Sequence, residues 1–341
     1  MTKIIFPLKL QHKEKLLEHL RTNWTNNHIL LKNKKIFNWM YKFKNSINFL
    51  TVFEKRKIIS SIGLLFNSYN SLKKKNIFYL DNQVIWLTMW SSSKNSKNSG
   101  LNLIYFLIKK TINKSIIGTV GCSLHAYKIY KALGFKCGYL NHYFFINKKK
   151  KVFNLIKVNF KRKNNINFKK NKNKLIFSGL KKSFFLIHDL KKFQNLYKKN
   201  FRYFLKKYEK NNFYKYKFIF LKEKNKVNGF FVTREIKYLN SKCLRLIEYF
   251  GNFEKNFDLK NEFQRICDNS NFEFIDFYNY GIKKNILLSS GFLLNNFSNK
   301  LIIPNYFSPF VMKNIKLRFA YYPPNKKMLF FKGDCDQDRP N

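Results

Sequence analysis

A glycine at the start of a helix, placed just after a strand, is an arrangement that can hold a phosphate. Residues 84–90 (VIWLTMW) read as a strand rich in β-formers. A polar stretch, 91–99, runs up to Gly100, and 101–110 (LNLIYFLIKK) reads as an apolar helix. The first N–H groups of a helix have no partner inside it and carry partial positive charge. Glycine there lets backbone close on a phosphate or pyrophosphate, and Gly100, Leu101 and Asn102 occupy that turn. Residues 116–120 then read as a short buried strand and 123–133 as a helix stopped by Gly134. That helix carries Tyr130, which is either a core aromatic or a proton donor. The strand 84–90 has no carboxylate, so the candidates for a base are His28, Asp81, His125 and His142.

These residues need a scaffold. Residues 8–45 alternate apolar and basic positions at helical spacing, with Leu16, Leu17, Leu20 and Trp24 on one face and Ile36, Phe37, Trp39 and Met40 on another; they predict two or three helices. Strands follow at 48–54 and 58–66, joined by the charged turn Glu54-Lys55-Arg56-Lys57, and 135–146 closes the half as a strand or hairpin arm. Residues 148–175 are rich in lysine and asparagine with little periodicity and read as a linker, with room for an edge strand at 152–160. The second half repeats the plan: helix at 184–207, strands at 216–221, 227–233 and 244–250, helix 259–267, strand 272–277, helix 283–290 ending at Gly291. Gly63 and Gly229 sit in matching strands, and Gly134-Phe135 matches Gly291-Phe292. One module used twice explains this order. The expected domains are 1–150, a linker or edge strand at 151–175, and 176–341.

The formal charge is +50, from 68 Lys and Arg against 18 Asp and Glu. Lysine supplies nearly all of it, and Asn, Ile, Phe and Tyr are abundant while Ala is scarce. That is the pattern of an A- and T-rich genome, whereas dedicated nucleic-acid binders lean on the forked contacts of Arg. Drift onto solvated faces is the preferred reading over a functional basic surface, with non-specific polyanion binding following in either case. Five scattered cysteines without a Cys-x-x-Cys pair argue against a disulfide framework or zinc site, so no metal is expected. No apolar run approaches the roughly 18–20 residues of a membrane span, the first ten residues do not read as a secretory signal, and the chain reads as cytoplasmic.

The constellation across 84–135 resembles the GCN5-related N-acetyltransferase superfamily. That family carries an Arg/Gln-x-x-Gly-x-Gly/Ala loop, here Lys97-Asn98-Ser99-Gly100-Leu101-Asn102, and a later helix end, here Ala126-Tyr127-Lys128-Ile129-Tyr130-Lys131-Ala132-Leu133-Gly134-Phe135. Lys97 stands in place of Arg/Gln and Asn102 in place of the last small residue. The resemblance implies an α/β (α+β) fold of two tandem acetyltransferase-like domains, each a mixed, mostly antiparallel sheet flanked by helices. It implies acetyl-CoA as co-substrate, held by Lys97, Gly100, Leu101, Asn102 and Tyr127. The strand residues Trp86, Leu87 and Thr88 would pair with the pantetheine arm, and Tyr130 would protonate the leaving thiolate. His28 and His142 are carried forward as further catalytic candidates.

A narrower resemblance rests on Trp24–Leu30 (WTNNHIL), 37–41 (FNWMY), 85–87 (IWL), 140–143 (LNHY) and the closing 332–341 (KGDCDQDRPN). These segments are similar to acetyltransferase-like proteins of bacterial O-antigen and surface-polysaccharide clusters, which implies a small-molecule amino sugar, nucleotide-linked, as acceptor. The three alternating aspartates Asp334, Asp336 and Asp338 have four readings: a cation site, docking onto basic surface, bonds to sugar hydroxyls, or a frayed end. The second half has Leu287 where the first has Tyr130 and no Gly-x-Gly loop, so it is expected to bind no CoA. Two other functions fit the sequence: a Fem-like, tRNA-dependent transferase, and a non-catalytic module that binds sugar or nucleic acid.

Overall fold

The computed structural model describes residues 2–67, 83–96, 98–111, 114–158, 172–181, 185–252, 254–255, 257–298 and 300–338. Lys97 and Asp81, residues 159–171 of the lysine- and asparagine-rich stretch, and the last three residues of the tail lie outside them. Among the described residues, no helix is long and apolar enough to cross a membrane.

Along the first half the elements are β1 (Lys3–Ile5), α1 (Lys13–Asn23), α2 (Ile29–Lys32), α3 (Lys34–Tyr41), β2 (Phe49–Glu54), β3 (Lys57–Phe66), β4 (Gln83–Ser92), α4 (Ser99–Thr111), β5 (Ser115–Val120), α5 (Leu124–Ala132), β6 (Lys136–Tyr139) and β7 (Asn141–Ile146). The second half gives β8 (Asn173–Ser178), β9 (Tyr216–Glu223), β10 (Lys226–Tyr238), β11 (Ser241–Gly251), α6 (Lys260–Ser270), β12 (Phe274–Tyr280), α7 (Lys284–Ser289), β13 (Leu293–Leu294), β14 (Arg318–Tyr322) and β15 (Phe330–Phe331). One sheet runs in the order β1-β2-β3-β4-β5-β14-β6. Another runs β8-β9-β10-β11-β12-β7-β13, with β15 added to β12. Pairing is mostly antiparallel, but β4–β5 and β11–β12 are parallel, each pair joined by a crossover helix, α4 or α6. This is the mixed, mostly antiparallel α/β plan that the resemblance implied.

The chain divides into two compact units, but not at residue 150. The first comprises 1–137, 319–326 and 335–341; the second comprises 138–318 and 327–334. The closing strands are exchanged: β7 pairs with β12 and β13 in the second unit's sheet, while β14 pairs with β5 in the first. The expected edge strand at 152–160 also moves. Residues Lys157 and Val158 pair with Leu301 and Ile302, and the edge of the larger sheet is β8, against β9.

In the first unit the apolar spacing on α4 places Leu103, Ile104 and Leu107 on Leu50, Ile62, Leu64, Ile85 and Leu87 of the sheet, together with Tyr130 and Phe135. Fully burying one such aliphatic side chain contributes about 1.5–3 kcal/mol. The turn between β2 and β3 places Lys55 (φ 45°) and Arg56 (φ 65°) in left-handed backbone and keeps Glu54 opposite Lys57. Gly63 in β3 leaves space that Phe49, Tyr41 and Thr88 fill, and the Tyr41 hydroxyl donates to Thr88 Oγ1 at 2.9 Å. The second unit relies on aromatic packing, with Phe204 edge-on to Phe230 and Phe250 at 5.1 and 5.2 Å.

Candidate active site

In the first unit, β4 and β5 pair in register from Gln83 opposite Ser115 to Trp86 opposite Gly118, and then part. β4 runs on to Ser92 and β5 to Val120, so a wedge opens between them. Across β3 and β4, Gly63 lies opposite Thr88 but Ser61 opposite Ser91, one residue more on β4 than on β3. That extra residue is a bulge at Met89, whose φ is 41°. Asn67 N–H donates to Val84 O at 3.3 Å. By strand alternation Trp86 and Thr88 therefore turn their backbone groups to β3, while Leu87 turns its N–H and C=O into the wedge. A strand edge exposed in this way can pair with an extended amide chain.

The side chains of the three predicted strand residues are structural. Trp86 is buried, donates its indole N–H to Asn67 Oδ1, and is accommodated because Gly118 has no Cβ to meet its ring. Thr88 is held by Tyr41, and Leu87 belongs to the core under α4. Of the three, only Leu87 presents backbone to the wedge.

The wide end of the wedge faces the start of α4. Ser99 and Gly100 form the first turn, and Asn102 N–H already donates to Asn98 O at 3.0 Å. Ser99 N–H donates to Ser96 O at 3.5 Å, so the amides that open outward belong to Gly100 and Leu101. An added Cβ at Gly100 would overlap Ser92 Oγ and stand 3.1 Å from Trp90 Nε1. The Trp90 indole nitrogen is itself buried without a hydrogen-bond partner among the described residues. Ser92 Oγ lies 2.7 Å from Ser60 Oγ. A helix start, an uncommitted indole N–H and a serine hydroxyl therefore meet at one turn, which suits a phosphate oxygen.

Tyr130 stands across from this turn on α5. Ser123 caps that helix, accepting from Ala126 N–H at 3.2 Å. The helix ends as its glycine foretold: Gly134 takes φ 78°, and Phe135 N–H returns to Tyr130 O at 3.0 Å. The Tyr130 ring packs 5.5 Å from Trp90 and 5.0 Å from Phe135. Burial pushes its hydroxyl well above the ordinary tyrosine range, and Cys122, Cys335 and Cys137 nearby add to the shift. It stays protonated at any ordinary pH, the state a proton donor needs. Tyr127 is half-buried on the same helix and His125 is exposed.

The histidines divide differently from expectation. His28 caps α2, with Nδ1 accepting from Leu30 N–H at 3.2 Å and its ring 4.6 Å from Trp24. His142, on the exchanged strand β7, belongs to the second unit and is sealed there. It stacks on Tyr278 at 3.8 Å, Nε2 lies 3.2 Å from Asp276 Oδ2, and Nδ1 lies 3.3 Å from Asn295 Nδ2. Arg245 grips the same carboxylate through Nε at 3.0 Å and Nη2 at 2.8 Å, and donates to the carbonyls of Asn305 and Pro304. The role of His142 here is that of a buried polar core. The residue that sequence reasoning missed is His19 on α1. Its Nε2 lies 3.0 Å from Ser91 Oγ, two residues beyond Met89, and Ser91 Oγ lies 3.0 Å from Ser61 Oγ. Burial pushes its imidazole down, toward the neutral form. It lines a cavity of about 470 Å³ with Lys15, Glu18, Lys55, Arg56 and Lys57. The available signal was a histidine on the buried stripe of Leu16, Leu17 and Leu20.

The second unit repeats the wedge and fills it. β11 and β12 pair from Leu244–Ile275 to Leu246–Phe277 and then part. There β15 pairs with β12 at Asn279 and Tyr280, and Gly333 N–H donates to Ile247 O of β11 at 3.0 Å, so residues 330–333 occupy that gap. The tail docks rather than fraying. Asp334 is buried, 2.6 Å from Lys199 Nζ, and accepts from Phe331 N–H at 2.8 Å; Lys199 also reaches Glu248 at 2.9 Å.

No protein-family model matches this chain, and no curated protein matches it. Solved structures do. A GCN5-related N-acetyltransferase from Anabaena variabilis superposes with a TM-score of 0.58 at 10% identity, over 94% of this chain and 72% of that one. A GCN5-related N-acetyltransferase from Kribbella flavida gives 0.55 at 7% identity, over 94% and 70%. A conserved protein from Enterococcus faecalis gives 0.52 at 8% identity, over 86% and 70%. The fold is that of GCN5-related N-acetyltransferases.

Proposed function

We propose that this protein transfers an acetyl group from acetyl-CoA to an amine, with the donor held in the first unit. The observation that carries this reading is the wedge between β4 and β5, with a bulged wall, an opened helix start at its wide end and a protonated phenol beside it. Acetyl-CoA would supply a thioester, a carbonyl already activated for attack. The β4 edge between the bulge and Ser92 would align the pantetheine amides, and the amides of Gly100 and Leu101 with Trp90 Nε1–H would take the pyrophosphate. Backbone N–H beside the bulge would stabilise charge on the carbonyl oxygen. The amine nitrogen bonds to the carbonyl carbon, the carbon–sulfur bond breaks, and Tyr130 gives its proton to the departing thiolate. His19, kept neutral by burial, is placed to take the proton that the amine loses, directly or through Ser91.

The acceptor we favour is a nucleotide-linked amino sugar. The short segments shared with surface-polysaccharide acetyltransferases point there, and the lysine and arginine rim of the cavity by His19 suits an acceptor carrying phosphate. The second unit, its wedge filled, would bind no donor.

The test is acetyl transfer to a panel of nucleotide-linked amino sugars, followed by CoA thiol release and product mass. Tyr130→Phe is expected to lower turnover by roughly 10²–10⁴-fold while acetyl-CoA binding stays as in the wild type. Thiol release without any acetylated amine, or full turnover in Tyr130→Phe, contradicts the respective assignment.

A further inference from the structure

The narrow end of the wedge is not closed by β4 and β5 themselves. Residues 335–338 return to the first unit, and Cys335 is buried there with its thiol 3.4 Å from the Leu87 carbonyl, donating to it. Two residues on, the Gln337 side chain lies against Gly121, the residue that follows β5; a Cβ at Gly121 would overlap it, and φ there is 78°. The tail therefore touches both walls: β4 at Leu87, on the closed side of the Met89 bulge, and the end of β5 at Gly121. Asp336 Oδ1 steadies this turn, accepting from Gln337 Nε2 at 3.2 Å and standing 3.6 Å from Cys335 Sγ. Tyr130 and Cys335 are close enough to influence each other electrostatically.

A thioester lying along β4 with its pyrophosphate at Gly100 and its carbonyl at the bulge points its acyl chain toward Leu87. We propose that Cys335 forms the floor of the acyl pocket and sets the acyl chain length that the donor site accepts. This rests on the donor-site reading above. The side chain stands where the second and third carbons of a longer chain would go. Cys335 holds a left-handed φ of 58°, a conformation that glycine adopts without strain, so Cys335→Gly both opens the floor and keeps the turn.

The experiment titrates CoA, acetyl-CoA and butyryl-CoA into the wild type, Cys335→Gly and Cys335→Ala. The wild type is expected to prefer acetyl-CoA over butyryl-CoA by about tenfold or more. Cys335→Gly is expected to erase most of that preference by gaining butyryl-CoA affinity, Cys335→Ala to fall between, and the affinity for CoA itself to stay constant in all three. Unchanged CoA binding with an unchanged acetyl-to-butyryl ratio in Cys335→Gly overturns the inference and leaves the donor site standing. Absence of CoA binding in every variant overturns both.

Discussion

Gly100→Val is expected to reduce acetyl-CoA affinity by at least a hundredfold, on the order of 3 kcal/mol by the usual conversion. The effect has two sources. A Cβ at this position overlaps Ser92 Oγ and presses on Trp90 Nε1, the two groups that frame the helix start. A β-branched side chain also crowds the approach of a phosphate to the amides of Gly100 and Leu101, and those amides are the electropositive end of α4. The measurement is calorimetric titration, with circular dichroism and thermal unfolding run on the same sample. Wild-type affinity in a folded Gly100→Val protein would remove this turn from the donor site.

Arg245→Ala is expected to cost about 3–5 kcal/mol of stability, read by urea unfolding. Arg245 is fully buried and satisfies both Asp276 oxygens and the carbonyls of Asn305 and Pro304. Its loss leaves a carboxylate without its cation and two acceptors without donors. Burial alone would raise the Asp276 pKa, but Arg245 and the His142 hydrogen bond hold it well below the ordinary range. A depressed carboxylate contributes stability that is present above its unfolded pKa, about 4, and that is lost as pH falls through the folded value. His142, lowered by burial, acts in the same direction: below about pH 6.5 the unfolded chain takes up its proton more readily. Wild-type stability is therefore expected to decline below about pH 6.5 through His142, and more steeply below about pH 4 through Asp276. In Arg245→Ala the Asp276 part of this acid loss should shrink, because without its main stabilising partner the folded carboxyl moves up toward or past its unfolded value; the deficit relative to wild type is therefore largest near neutral pH and narrows as pH falls. Stability within 1 kcal/mol of wild type would contradict the assignment of this cluster as a core element.

Local chemistry made part of this protein legible. Gly134 ends α5 in left-handed backbone, and Gly100 opens α4, because each rule depends on a few adjacent residues. The repeated order of strands and helices is likewise carried by local periodicity, and each half has one parallel pair joined by a helix. Long-range pairing was not legible. Residues Tyr143–Phe145 are buried and apolar in either sheet, so nothing in their sequence tells β7 to pair with Phe277 and its neighbours. That exchange moved the unit boundary and put His142 in the second unit's sheet. His19 was missed because a histidine among buried leucines is ordinarily core, and only its approach to Ser91 distinguishes it. The tail left four readings open in sequence; Lys199 closes over Asp334 and Leu87 meets Cys335 only once strands far apart in the chain are assembled.

The most direct test of acyl transfer from the first unit is titration of the wild-type protein with acetyl-CoA at moderate salt, with ADP as the electrostatic control, because a chain of charge +50 attracts any polyanion. Saturable binding at one site per chain, at least tenfold tighter than ADP and retained as salt rises, is the expected result. Binding matched by ADP and abolished by salt would show only charge attraction and would contradict a donor site between β4 and β5.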